Sequence, residues 1–193
     1  MKKTILLLLT LVGVLAVQGK DNISKSVPVA EFDRISVTSS ITVRYTQSPK
    51  HKCTITGTRK DVDNIKVEVK GKQLRLTVKS SERKIAGVTF NSAALTDDVV
   101  IDISSPQLHK VELIGSGDFI ATTPISTTDL TFSIAGSGDI TLSGKATNLT
   151  TSIVGIGDID KSRLTVTGRH NRNDVKIATH TSPTNYGKIK ARP

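Results

Sequence analysis

The chain has 193 residues, enough for one domain with a real core. Its formal charge is +10, but aromatic residues make up only 3%, which excludes base-stacking platforms for single-stranded nucleic acid. The single cysteine, Cys53, excludes an internal disulfide.

Lys2 and Lys3 precede an apolar run from Ile5 to Val17, and Val17-Gln18-Gly19 forms a small-residue cleavage site. This predicts a secretory signal over residues 1–19, with Lys20 first in the mature protein. The run is too short for a membrane anchor, and no later segment is apolar enough to cross a bilayer. No cysteine stands at the cleavage site, which speaks against a lipid-anchored form. Removal of the signal lowers the charge to +8. Residues 169–193 form a basic tail of +5, so Lys20 to Gly168 carries only +3. The excess charge is therefore mostly in the tail and does not mark the body as a polyanion binder.

Lys20 to Val27 is predicted to be a flexible lead-in. Phe32, Ile35 and Val37, then Ile41, Val43 and Tyr45, give two short strands joined through Thr38-Ser39-Ser40. Cys53 to Gly57 alternates as another strand, and Asp61 to Ile65 suits one short helical turn. Lys66 to Lys70 and Leu74 to Val78 alternate on either side of Gly71-Lys72, which predicts a hairpin. Ser80 to Asp98 is the least patterned stretch, a long loop with one strand at Ala86 to Phe90. Val99 to Ile103 is a strand that ends at Ser104-Ser105-Pro106.

From Val111 to Ile159 one phrase occurs three times: Gly115-Ser116-Gly117-Asp118, Gly136-Ser137-Gly138-Asp139 and Gly155-Ile156-Gly157-Asp158. The first glycines are 21 and 19 residues apart. Two positions before them stand Leu113, Ile134 and Ile153, and directly after the aspartates come Phe119, Ile140 and Ile159. A period near 20 residues with period-two alternation predicts stacked repeats of strand, tight corner and strand. The second glycine of each phrase is assigned the positive φ of the corner. The expected fold is all-β: a two-sheet β-solenoid with Gly-x-Gly-Asp corners over residues 28–168, preceded by N-terminal hairpins. Thr122-Thr123-Pro124, Ser143-Gly144-Lys145 and Lys161-Ser162 mark the opposite corners. The second strands start at Asp129-Leu130, Asn148-Leu149 and Arg163-Leu164. A fourth corner falls near Asp174 by spacing but lacks glycine, so the repeat decays at its C-terminal end.

The column Asp118, Asp139 and Asp158 has two readings. Stacked carboxylates could hold calcium or cleave a glycosidic bond. Alternatively each carboxylate accepts a hydrogen bond from its own corner's backbone in an Asx-turn. Known calcium solenoids carry denser acidic turns, so the Asx-turn is favoured and no metal or cofactor is assigned. A phosphate cradle is disfavoured because strand, not helix, follows each Gly-x-Gly. His51, His109, His170 and His180 have no metal spacing, and no nucleophile elbow occurs. Cys53 is a small buried strand residue, despite His51 two positions earlier.

The repeated corners, preceded by strands such as Leu130-Thr131-Phe132-Ser133-Ile134, resemble the secreted GIN-domain family, the adhesin heads of autotransporter type in Gram-negative bacteria. Phe32-Asp33-Arg34-Ile35, Asp63-Asn64-Ile65, Gly71-Lys72-Gln73-Leu74 and Ser104-Ser105-Pro106-Gln107-Leu108 follow the same pattern in order. The likeness covers Val29 to Leu164. It implies a pectin-lyase-like β-helix, no catalytic residues, and a role in adhesion, with a trimer as one assembly. The expectation is thus a non-enzymatic adhesion module, exported to the periplasm or cell surface, that presents a sheet face to a surface glycan or protein. A polysaccharide lyase or hydrolase using the aspartate column and a purely structural envelope protein are the alternatives. Neither nucleic acid nor stable membrane insertion is expected.

Overall fold

The structure is a computed structural model that describes residues 22–176, apart from 80, 86–87, 93–94 and 96–97. The predicted signal, residues 1–19, and the last part of the basic tail lie outside the described residues. So do His180 and the first two residues of the strand predicted at Ala86 to Phe90. In chain order the elements are β1 (Asn22–Ser26), β2 (Arg34–Thr38), β3 (Ile41–Gln47), β4 (Lys52–Thr58), α1 (Arg59–Asn64), β5 (Ile65–Lys70), β6 (Gln73–Val78), β7 (Ser81–Ile85), β8 (Val88–Ser92), β9 (Val99–Ser105), β10 (Lys110–Gly115), β11 (Phe119–Ala121), β12 (Ile125–Gly136), β13 (Ile140–Gly155), β14 (Ile159–Val166) and β15 (His170–Lys176). The fold is all-β.

Thirteen strands form one sheet that curls around a single core. Its first side carries β5, β6, β2 and β10, the second halves of β12 and β13, and β15. Leu76, Val37, Leu113, Ile134 and Ile153 stand in register across that side and are all buried. Its second side carries β1, β4, β9, β3 and β11, the start of β13, and β14. There Ile55, Ile101, Val43, Phe119, Ile140 and Ile159 form the matching buried row. Tyr45 and Phe119 stack on neighbouring rungs with ring centroids 5.8 Å apart. Burial of such rows, at about 1.5–3 kcal/mol per large apolar side chain, is the main force holding the rungs together.

β10, β12 and β13 pair in parallel, with Gly115, Gly136 and Gly155 in one register row. Residues about twenty positions apart therefore lie over one another. Parallel pairing of near-repeats lets each apolar residue sit above its equivalent, so one alternation pattern serves every rung.

Several boundaries differ from the sequence expectation. The lead-in is not free: Asn22–Ser26 pairs antiparallel with β4. The strands β2 and β3 are not a hairpin, because β2 pairs with β10 and β3 with β11, both in parallel. They form one more rung, with Ser39 beneath Gly115 and its N–H bonded to the Ile114 carbonyl at 2.9 Å. Ser39 takes φ 109°, the conformation that glycine adopts in the later corners. The stretch predicted as a loop with one strand holds a separate two-stranded sheet, β7 with β8. Ser143-Gly144-Lys145 lies within continuous β13, with Gly144 bending at φ 126°. Arg163-Leu164 does not begin a second strand. It pairs beside Ser143-Gly144, after a register shift. The true counterpart of Leu130 and Leu149 is His170, in β15. The body predicted to end at Gly168 therefore gains a further strand from the predicted tail.

The predicted hairpin at Gly71-Lys72 is present, and both turn residues have positive φ (54° and 62°), as a type I′ turn requires. The two ends of the sheet are finished differently. At the N-terminal end, α1 connects β4 to β5. The Thr58 hydroxyl accepts from the Asp61 N–H at 3.3 Å, and Val62 is buried. At the other end β15 places Arg172 and Asp174, paired with each other, in register with Thr151 and Ile153. Among the described residues, no helix is long and apolar enough to cross a membrane.

Ile134→Asp should abolish the cooperative native melt, because it places a lone charge between two apolar neighbours. Ile134→Ala should cost about 2–5 kcal/mol in urea unfolding. Ala135→Asp, on the exposed face one residue away, should stay within about 0.5 kcal/mol of the parent. Equal melts for the substitutions at 134 and 135 would show that the inward assignment is wrong.

Candidate functional site

The repeated corners stand along one edge of the curled sheet. The first glycines, Gly115, Gly136 and Gly155, carry the positive φ (120°, 141° and 135°), not the second ones. The second glycines answer to close approach alone, a demand that Gly136 and Gly155 share, since a Cβ there would lie 2.1 Å from the carbonyl oxygen of Gly115 or Gly136. A Cβ on Gly117, Gly138 or Gly157 would sit 2.3, 2.0 or 2.2 Å from a carbonyl oxygen of the preceding rung, that of Ile41, Gly117 or Gly138. No side chain fits there without moving backbone.

The aspartates bond between rungs instead of within their own corners. The Asp118 carboxylate accepts the Asp139 N–H at 3.0 Å, and the Asp139 carboxylate accepts the Asp158 N–H at 2.8 Å. The main chain bonds in the opposite sense, with the Asp139 carbonyl accepting from Phe119 N–H and the Asp158 carbonyl from Ile140 N–H, each at 2.9 Å. The favoured Asx-turn is thus replaced by a ladder that ties each corner to the next. Each of the Asp118 and Asp139 carboxylates thus serves as a backbone acceptor through one oxygen.

Among the described residues, no three His, Cys, Asp or Glu side chains gather as a metal site. His51 receives the Phe32 N–H at 3.4 Å and meets the Phe32 ring edge-on. His109 lies beside the Asp129 carbonyl at 3.1 Å and the Gln107 amide oxygen at 3.3 Å. Cys53 is buried, and burial pushes its thiol up to about 11, away from the thiolate a nucleophile needs. A shallow groove of about 460 Å³ runs past Gln107, His109, Thr127, Lys145 and Thr147. A smaller recess of about 210 Å³ lies among Phe32, Asp33, His51 and Lys72. The larger groove is lined by no acid, whereas the recess also holds Glu31, so that two carboxylates stand there near His51 and Lys72.

The broadest feature is the outer face of the first side. Three rows cross it at the strand spacing. Lys110, Thr131, Thr150 and Asn171 form one, and Glu112, Ser133, Ser152 and Asn173 the second. Ile114, Ala135, Val154 and Val175 form the third, an exposed apolar edge beside the corners. Toward β5 and β6 the same face turns basic, with Arg34, Lys66, Lys70 and Arg75. Its two acids are engaged. Glu112 accepts from Gln73 at 2.8 Å and pairs with Lys110. A hydrogen bond from Lys66 and its positive charge hold the Glu68 carboxyl below its ordinary range. The outer face of the second side is less open to charged partners, because Arg44 and Asp102 neutralise each other there in a two-point contact at 2.8 and 2.9 Å. Sequence reasoning missed this face. Its rows become visible only once the register is known.

Gly138→Ala should destabilise by roughly 2–4 kcal/mol, since backbone must shift to admit the methyl. Gly71→Ala, at positive φ but with nothing within 4 Å, should cost only about 1 kcal/mol. Asp139→Ala should lose about 1 kcal/mol and Asp139→Asn less, because the amide keeps an acceptor for Asp158 N–H; chemical denaturation measures all four. For Cys53, the native state keeps its proton after the unfolded chain, near the ordinary 9.0, has released it. Stability from this group is whole below about pH 9 and is lost as pH rises toward about 11. Urea melts over that range should show a falling slope that is shallower in Cys53→Ala. Burial also raises the Tyr45 hydroxyl, against a lowering by its Ser105 hydrogen bond, and this adds loss of the same sign at higher pH.

Comparison with known proteins places the fold. Residues 31–192 match the family described as putative auto-transporter adhesin, head GIN domain. Among solved structures, a putative adhesin from Bacteroides fragilis NCTC 9343 is similar at 19% identity and TM-score 0.52, covering 82% of this chain and 98% of that one. A putative lipid binding protein from Parabacteroides distasonis ATCC 8503 is similar at 22% identity and TM-score 0.56, covering 72% and 65%. A putative adhesin from the same strain is similar at 20% identity and TM-score 0.51, covering 80% of each. Identities this low establish a common fold and nothing further. No curated protein sequence matches. With most of its length matched, the chain belongs to the family of putative auto-transporter adhesin head GIN domains.

Proposed function

We propose that this protein is an exported, non-enzymatic adhesion module that binds a surface glycan or protein through the outer face of its first side. In this reading each circuit of about twenty residues is one coil of a β-solenoid of pectin-lyase type, whose Gly-x-Gly-Asp corners hold the face flat. The observation that carries it is the face itself. Rows of hydroxyl and amide groups repeat across parallel strands, and none of them is needed to hold the core. The family relationship supports an adhesion role. The apolar run after Lys2-Lys3 supports export, to the periplasm or the cell surface. Against a lyase or hydrolase stands the use of the Asp118 and Asp139 carboxylates as backbone acceptors.

The test is a glycan array together with whole-cell binding of the mature protein beginning at Lys20. Binding to cells or glycans, and reduced attachment of a deletion strain, are the expected results. No binding anywhere, with attachment unchanged on deletion, would overturn the proposal. So would product release from acidic polysaccharides that disappears in Asp139→Asn.

A further inference from the structure

We infer that the ligand of this face is a linear acidic glycan lying along the stack, across the strands; the inference rests on the binding face proposed above. Parallel strands repeat at about 4.8 Å. That step is close to the length of one sugar in an extended pyranose chain. A glycan crossing the strands would thus meet the same side chain at each rung: Thr131 then Thr150, Ser133 then Ser152. A peptide lying along a strand would meet Thr131, Ser133 and Ala135 in turn, without that repetition.

Charge selects the kind of glycan. The face carries Arg34, Lys66, Lys70, Arg75 and Lys110 against Glu68 and Glu112, with Asp33 paired to Arg34 at its margin, so Lys70 and Arg75 are the bases left for a ligand. Both glutamates are already bonded within the face, by Lys66 and by Lys110 with Gln73. The bases crowd toward β5, β6 and β2, and the hydroxyls and amides over β12, β13 and β15. A chain with free hydroxyls and a carboxylate or sulfate on its sugars complements both halves. Neutral glycans are commonly gripped by aromatic stacking, and the aromatic side chains that the structure describes, Phe32, Tyr45, Phe119 and Phe132, are all buried. On the described face, hydrogen bonds and charge supply the affinity. The exposed edge of Ile114, Val154 and Val175 can meet the C–H faces of the sugars.

The probes are polygalacturonate and uncharged dextran, titrated against the mature protein at low and high salt. Polygalacturonate should bind, dextran should not, and salt should weaken the binding. Lys70→Gln/Arg75→Gln should weaken it by about tenfold. Ser133→Leu/Ser152→Leu should weaken it as well, and both doubles, altered only on the outer face, should melt near the parent. Equal binding of dextran, indifference to both doubles, or binding only to vesicles of anionic phospholipid would overturn the inference. If cells still bind the protein while polygalacturonate does not, the ligand class is wrong and the adhesion reading stands. If neither binds, both fall.

Discussion

The structure depends on how closely successive rungs approach at the corners. At Gly117, Gly138 and Gly157 the neighbouring backbone occupies the space a Cβ would need. Only glycine lets the rungs meet there, and the meeting fixes the register for everything downstream. Once Gly115, Gly136 and Gly155 are aligned, Leu113, Ile134 and Ile153 must align too, and so must Phe119, Ile140 and Ile159 across the core. The aspartates reinforce the alignment by bonding from one rung to the next, so it rests on sterics and hydrogen bonds together.

Much of this was legible in the sequence, because it is written as spacing. The three Gly-x-Gly-Asp phrases and the apolar residues around them identified which positions point inward. The hairpin at Gly71-Lys72 was equally plain from its turn residues. What escaped notice was the rung formed by β2 and β3. Ile35, Val37 and Val43 hold the same places relative to Ser39 as Val111, Leu113 and Phe119 do to Gly115. Serine at the corner and the missing aspartate hid the match, although the apolar spacing could have revealed it. The positive φ was assigned to the wrong glycine of each phrase, since sequence cannot distinguish a residue needed for its φ from one needed for lack of a side chain. The binding face was invisible for a related reason. Thr131 and Thr150 are 19 residues apart, and only the register makes them neighbours.

The architecture separates two tasks that compete in many small proteins. Inward positions carry stability, through apolar rows that run the length of the stack. Outward positions on the same strands are free to vary in charge and polarity, because the main chain is already paired on both sides. A face can therefore change from basic to hydroxyl-rich over a few strands without disturbing the rows beneath. This is the condition under which recognition can change while the scaffold stays the same.

The last described strand departs from the repeat in its chemistry. On β15 the ion pair of Arg172 and Asp174 occupies the places held by an apolar ladder elsewhere, and Lys176 stands in register with Gly155. Any strand set against β15 in the same register would have to dehydrate that charged couple. The inward row that joins the rungs before it is thus interrupted at β15, where an ion pair takes the places that Thr151 and Ile153 hold on the neighbouring strand.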